Sequence, residues 1–458
     1  MWLDGIGALA LTDLQRIAVE TGALSRARSK NRKKEMKRKT VILTLALLTE
    51  IGAASAATLN VPVDFPTIQA AINAANEGDT ISVSPGTYFE AIQVNAKNVR
   101  IVSVGGPSVT TIDASFASAT VRLINVNRQT LLDGFTIQGG QSTSGGGVVI
   151  NGSPTISNNI IQGNRSTSGN GMSVSFSAPL IRDNIIRNNT SMSGSSGGGG
   201  GGGIYVGGAG CQGATCTEII ANLIENNSVP SFTWGGGILL FASGPVRIVG
   251  NTIRNNSAPT EGGGIAAFNS ADALIENNII EGNRTTSPTG SGGGISWLVP
   301  SGERGPWLIG NTIVGNQASL GSAVLADGFD SASRVINNLI VNTSTTQSVV
   351  HCGEFNDPFP PVIRNNMIHA NGSSEFGGLC AGALGSNGNF AGVPLYLPDG
   401  YRLSPSSPGI DQGENMFVGE PLDIDGRPRI VDGNGDGIAT VDVGAYEYSE
   451  QIFADGFE

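Results

Sequence analysis

A ten-residue phrase recurs eight times along this chain, and few folds can accommodate it. Its clearest copy is Leu274-Ile275-Glu276-Asn277-Asn278-Ile279-Ile280-Glu281-Gly282-Asn283. Anchored on the inner asparagine, the copies stand at Asn159, Asn184, Asn222, Asn251, Asn278, Asn311, Asn338 and Asn366. Two places on, every copy has isoleucine: Ile161, Ile186, Ile224, Ile253, Ile280, Ile313, Ile340 and Ile368. Three places before, every copy is aliphatic, from Ile156 to Ile363. Five places on, all but one return to asparagine, from Asn164 to Asn371, with Thr343 the exception. A period of about 27 residues, built of β-branched side chains and turn-forming asparagines, is a β-solenoid signature. Stacked coils lie about 4.8 Å apart, so a fixed position becomes a column. Each buried isoleucine contributes roughly 1.5–3 kcal/mol. Asparagine amides chained from coil to coil add about 1 kcal/mol net per hydrogen bond.

A second phrase alternates with the first: a glycine run followed by an aliphatic residue, at Gly145–Val148, Gly202–Ile204, Gly235–Ile238, Gly262–Ile265 and Gly292–Ile295. Glycine tolerates positive φ and close backbone approach, so each run can turn a corner before a strand. The 67 glycines recur in phase with isoleucines, unlike those of a low-complexity linker. Upstream, Thr67 can cap a short helix whose Ile68, Ala71, Ile72 and Ala75 share one face. A solenoid exposes its core at the first coil, and such a helix would plug it. The expected fold is all-β: one right-handed parallel β-helix of about twelve coils with a short N-terminal capping helix.

The first 56 residues read as a leader. Met36-Lys37-Arg38-Lys39 is a basic start, Val41 to Gly52 a short apolar run, and Ala54-Ser55-Ala56 a small-x-small cleavage site. Residues 1–35 read as an upstream extension from a start codon assigned too early. The apolar run is too short to span a bilayer and contains Glu50. Of 26 basic and 37 acidic residues, the leader holds ten and five, leaving 16 against 32 and Lys97 as the one remaining lysine. That balance excludes nucleic acid and anionic membranes as partners, because phosphate binding needs clustered cations. Four cysteines fit an oxidising compartment. Cys211 with Cys216 would close a small loop and Cys352 with Cys380 a larger one. A zinc site is the rival reading, without a paired C-x-x-C to support it.

From roughly Thr58 to Tyr448 the chain resembles secreted bacterial right-handed parallel β-helix proteins of the pectate-lyase-like superfamily. The opening Phe65-Pro-Thr-Ile-Gln-Ala-Ala-Ile72 through Gly86-Thr-Tyr88 is similar to the start of pectin methylesterases and their non-esterase relatives. The end is similar to the choice-of-anchor Q domain, a C-terminal module of cell-surface β-helix proteins. Ser404-Pro-Ser-Ser-Pro408-Gly-Ile-Asp411, Asp425-Gly-Arg-Pro-Arg429 and Asp442-Val-Gly-Ala-Tyr-Glu447 carry that likeness. The tail Ile452–Glu458 resembles short C-terminal signatures of exported proteins and would be a sorting tag. These likenesses divide the chain into a leader (1–56), a β-helix (57–400), an anchor-type module (401–448) and a tail (449–458).

The superfamily's chemistry is not inherited with the fold. Polygalacturonase-like enzymes carry a paired-aspartate strand and a Gly-His-Gly segment, and alginate epimerase-like members an Asp-Pro-His-Glu segment. None occurs here, and Asn356-Asp357-Pro358-Phe359 lacks the histidine and glutamate. No catalytic residue can be assigned from the sequence. Position three beyond each inner asparagine reads Gln162, Arg187, Glu225, Arg254, Glu281, Val314, Val341, His369. That column is either a sugar-acid groove or a solvated ion-pair ladder, and exposed pairs contributing roughly 0.2–1 kcal/mol favour the ladder. Tyr205, Trp234, Trp297 and Trp307 lie in or beside the variable stretches. Their rings could stack on sugars or could cover coil edges. Asp432, Asn434, Asp436, Thr440 and Asp442 approximate a calcium loop, although the last acidic group falls one place early. A plain Asx-rich turn is the alternative. Ca2+ is the one cofactor expected. The functional expectation is a monomeric, secreted or surface-held protein that binds polysaccharide or a cell-surface glycan, adhesin-like and without chemistry of its own. The alternatives are a polysaccharide lyase or related carbohydrate-active enzyme, and a passive spacer.

Overall fold

The computed structural model describes residues 56–449, except 193–199, 209–210, 213–214, 230–232, 270, 299–303, 329–331, 356–357 and 399. The leader up to Ser55, the tail from residue 450, the first three glycines of the run 197–203 and Asn356-Asp357 therefore lie outside the described residues. The chain winds into a right-handed parallel β-helix. One coil shows how the phrases work. Ala273–Glu276 lies on the first sheet, Asn277-Asn278 turns a corner, and Ile279–Glu281 lies on the second sheet. A second corner at Gly282-Asn283 follows, then the glycine run, then Ile295–Leu298 on the third sheet. The three sheets stack 12, 12 and 11 strands, close to the expected coil count, with the hairpin strand Cys211–Gln212 set off the first sheet. Pairing is parallel and in register, so Ile248, Ile275 and Leu308 stack directly.

Both corners follow from local backbone chemistry. The residue before the inner asparagine has positive φ in each coil, as at Asn158 (55°), Asn277 (54°) and Asn337 (57°). Asparagine and glycine tolerate that region. The buried asparagine then has its side chain free to bridge coils. Asn278 Oδ1 accepts from the amide and side-chain nitrogens of Asn251 (2.8 and 3.0 Å). Its Nδ2 donates to the Ile248 and Glu276 carbonyls (2.8 and 3.0 Å). This ladder runs from Phe135, whose amide donates to Asn159, up to Asn389, one rung beyond the last repeat. A parallel ladder links Asn164, Asn189, Asn227, Asn256, Asn283 and Asn316. It departs from expectation at its far end. Asn342 rather than Thr343 is buried there, and Asn371 is exposed at a left-handed turn outside the ladder.

Each end is closed. The helix Ile68–Ala74 covers the first coil, with Thr67 Oγ1 accepting from the Ala70 amide. Glu90 accepts from the Ile68 and Gln69 amides (2.8 and 2.9 Å). Lys97 donates to the Ile72 and Ala75 carbonyls at the helix C-terminus (both 2.8 Å). An acid at the first turn and a cation at the last match the helix dipole. At the other end Cys380, just after the last third-sheet strand Ser374–Gly378, is bonded to Cys352 of the strand before it, and both residues sit in the core. Cys211 and Cys216 are also bonded, so both expected pairs form.

Residues from about 392 onward do not extend the stack. They double back as a strap over the outer surfaces of the first and second sheets, forming one compact unit with the coils. Val314, Leu339, Val341 and Met367 of the second sheet pack against Leu403, Ile410, Val443 and Tyr448 of the strap. This contact explains why the outward charge column turns to valine at Val314 and Val341.

Candidate functional site

The outward-facing residues of the third sheet converge as a surface. The glycine run brings the chain across that sheet before each strand: Gly262 has φ 62°, and a Cβ on Gly264 would lie 2.6 Å from the Gly294 carbonyl oxygen. The residue ahead of each run is thereby laid beside the strand's outer face, as isolated bridges Trp234↔Glu261 and Glu261↔Ser291 show. Trp234 meets Phe268 of the next coil with ring centres 4.6 Å apart. Leu239, Ala266 and Phe268 form the floor of this outer patch, and Tyr205, Trp234, Phe241 and Leu298 pack on it half-buried.

One coil beyond Trp234 the same face becomes titratable. Glu261 is partly buried, its Oε2 has no partner among the described residues, and burial with the Asp327 charge pushes its pKa up to about 6. Asp327 is raised by burial despite accepting the Phe355 amide (2.8 Å). His351 is lowered by burial, with Asp327 opposing, and its Nδ1 lies 3.2 Å from Ser348 Oγ. Sequence reasoning missed Glu261 and Asp327. The signal lay in the register: Asp327 falls in the outward column that Phe268 and Leu298 occupy in earlier coils.

The four aromatic residues singled out from sequence part company. Tyr205 and Trp234 share the outer patch on neighbouring coils. Trp297 faces the opposite way. It is wholly buried in the core between Ala267 and Ala326 of the adjoining coils, whose small side chains make room for the indole. It has no face to offer a sugar, which corrects the stacking expectation for this residue. Trp307 sits on the first sheet beneath the strap, its Nε1 donating to the Ala332 carbonyl (2.9 Å) and its ring flanked by Arg304 and Arg334.

In the outward column of the second sheet Arg254 pairs with Glu225 (2.8 Å), Arg187 donates to Gln162 (3.0 Å), and Glu281 accepts from Tyr401 (2.5 Å). His369, at its end, is half-exposed. In the 432–442 loop, Asp432 accepts from the Gly435, Asp436 and Gly437 amides, and Asn434 and Asp436 from amides two residues on. Thr440 donates to the Ile438 carbonyl. Asp442 departs from this group. It is fully buried and accepts from the Asp411 and Tyr448 amides (2.8 and 2.7 Å) beside Arg429 and Glu447. Among the described residues, no three His, Cys, Asp or Glu side chains group closely enough to hold a metal ion. A depression of about 400 Å³ near the N-terminal end of the first sheet gathers Arg100, Arg128 and Arg182 around Asp133. Arg128 is already engaged with Glu218 (2.8 Å). No helix among the described residues is long and apolar enough to cross a membrane.

The profile of the right-handed β-helix region family matches residues 102–340. No curated protein sequence matches the chain. Among solved structures it is similar to the PL6 family alginate lyase AlyGC, at 15% identity and a TM-score of 0.39 over 86% of this chain. The match takes in 59% of that lyase, so the chain spans about three fifths of its length. The ORF18 protein of Geobacillus virus E2 is similar at 14% identity and a TM-score of 0.29, covering 75% of this chain and 64% of that one. The A-module of the Azotobacter vinelandii mannuronan C-5 epimerase AlgE6 gives 17% identity and 0.28, covering 72% and 95%. Likenesses at this level assign neither substrate nor chemistry to this chain. The family match spans more than half of the 458 residues and falls on the stacked coils, and the chain belongs to the right-handed β-helix family.

Proposed function

We propose that this protein is exported, remains secreted or held at the cell surface, and binds a polysaccharide along the outer face of its third sheet. The observation that carries this reading is the paired placement of Tyr205 and Trp234, half-exposed on neighbouring coils over an apolar floor. A repeating polymer can meet a repeating surface, and aromatic rings offer rigid stacking area at low entropic cost. The leader-like N-terminus, the two disulfides and the resemblance of residues 404–447 to a choice-of-anchor Q module support export and surface association. One observation favours a second reading, a polysaccharide lyase or related enzyme. Glu261, Asp327 and His351 lie on the same face, and a carboxyl titrating at about 6 is suited to acid–base work.

Immobilised polysaccharides, assayed with and without calcium, test both readings. Retention of the parent protein on at least one glycan is expected, with Trp234→Ala and Tyr205→Ala each weakening it tenfold or more at an unchanged melting temperature. Accumulation of unsaturated sugar products that disappears in Glu261→Gln would replace the binding reading with the lyase. No retention on any glycan would leave a passive spacer.

A further inference from the structure

Where the strap crosses the first sheet at residues 416–419, the surface beneath it is hollow. A cavity of about 230 Å³ lies there, lined by Leu274, Glu276, Arg304, Trp307, Arg334 and Phe417 among others. Its floor is the outward column Leu274, Trp307, Arg334 of three successive coils.

The two arginines are held in an unusual way. The Arg304 and Arg334 guanidinium carbons lie 4.4 and 3.9 Å from the Trp307 ring centre, and Arg334 is also 5.4 Å from that of Phe417. Stacking engages the flat face of a guanidinium and leaves its in-plane N–H donors unspent. Neither arginine has a carboxylate partner among the described residues, although the first-sheet arginines Arg182, Arg247 and Arg364 do. Opposite them stands Glu276, 1% exposed. Its Oε1 accepts the Gly419 and Glu420 amides (2.8 and 2.9 Å), while Oε2 is buried without a partner. A buried, unpartnered carboxylate oxygen is costly enough that most folds avoid it.

We propose that this cavity binds a small hydroxy acid, whose carboxylate the Arg304 and Arg334 guanidiniums receive and whose neighbouring hydroxyl donates to Glu276 Oε2. Two guanidiniums against one carboxylate leave the lining one positive charge in excess, which a monoanion with a neutral donor balances and a zwitterion does not. Glu420 and Arg429, the charges felt most at Glu276, oppose one another. The volume admits one sugar-sized unit, either a free sugar acid or the last residue of an acidic chain. This site is separate from the third-sheet face and stands or falls independently of it.

Titration of the full chain with galacturonate, followed by tryptophan fluorescence and calorimetry, tests the proposal. Galactose and alanine serve as the neutral and zwitterionic controls, and an oligogalacturonate separates a chain end from a free acid. Saturable binding of galacturonate or its oligomer is expected, weakened tenfold or more by Arg304→Gln and by Glu276→Gln and retained by Trp234→Ala. Arg304 precedes its strand and makes no hydrogen bond or ion pair with the strap among the described residues, so its variant should melt as the parent does. Failure of galacturonate and its oligomer to bind, equal binding of galactose or alanine, or undiminished binding by an Arg304→Gln, Arg334→Gln double variant would each overturn it.

Discussion

Each corner between the first and second sheets demands a residue at positive φ just ahead of the buried asparagine. Asn158, Asp183, Gly250, Asn277, Gly310, Asn337 and Asn365 meet that demand with side chains suited to it, and Ala221 (φ 53°) does not. A left-handed alanine costs about 1–2 kcal/mol. Ala221 is exposed, so nothing packs against its methyl group to compensate. Ala221→Asn should therefore stabilise the protein by about 1 kcal/mol, visible as a higher urea midpoint with an unchanged slope. Ala221→Gly should gain less, since glycine adds entropy to the unfolded chain.

The strap is held by elements of a different kind, above all a buried charged cluster. Arg429, Asp442 and Glu447 are at most 3% exposed, and two carboxyls face one guanidinium. Asp423, which accepts the Glu447 amide, and Asp411, whose amide donates to Asp442, add negative charge around them. Burial first, and then Asp442, pushes the Glu447 carboxyl from 4.5 up to about 10, so it keeps its proton at neutral pH. A carboxyl whose pKa is raised by folding favours the folded state fully below its unfolded pKa. That contribution declines as pH rises from about 4.5 towards about 10. The unfolding free energy, and the melting temperature with it, should fall between pH 6 and pH 9, by up to about 1.4 kcal/mol per pH unit for each carboxyl that titrates. Glu447→Gln should lessen that decline, because a neutral amide has no proton to lose, and leave the part contributed by Asp442, which burial raises to about 7. Thermal melts of both proteins across the range check this.

At the scale of the whole molecule, the two halves of the solenoid present different outsides. Towards the N-terminal end the outer faces are charged and open, with Gln162, Arg187, Glu225 and Arg254 in one column and Arg100 and Arg182 in another. Towards the C-terminal end Val314, Leu339, Val341 and Met367 are outward-facing yet buried, because the strap lies on them. A run of ion pairs joins the regions, from Arg128 through Glu218 and Arg247 to Glu420 of the strap. Ending the chain after Ala391 should expose those four apolar residues on one face. The expected outcome is a protein that binds a hydrophobic dye and aggregates, whereas the full chain stays monodisperse. A truncated protein that remains monodisperse and dye-free would mean that the strap is an ornament rather than a cover.

The fold was legible in the sequence because stacking turns a linear period into columns. Ile275, Asn278 and Ile280 could be assigned inward-facing places from their recurrence alone, and the cysteine pairs from their spacing. Glycine runs and paired asparagines marked corners because few other residues adopt the backbone those corners need. What no period could reveal was anything decided by the neighbouring coil. Trp297 and Trp234 read alike in sequence, yet strand alternation sends the first into the core, while the second, ahead of its glycine run, is laid on an outer face. Glu261 and Asp327 are 66 positions apart along the chain, and Glu276 is 143 residues from the Gly419 amide it accepts. Recurrence along the chain specified the coil, its columns and its corners, since these depend on contacts that repeat. The tertiary structure alone decided the outer patch, the strap and the cavity beneath it, since each depends on a single long-range contact that no repetition announces.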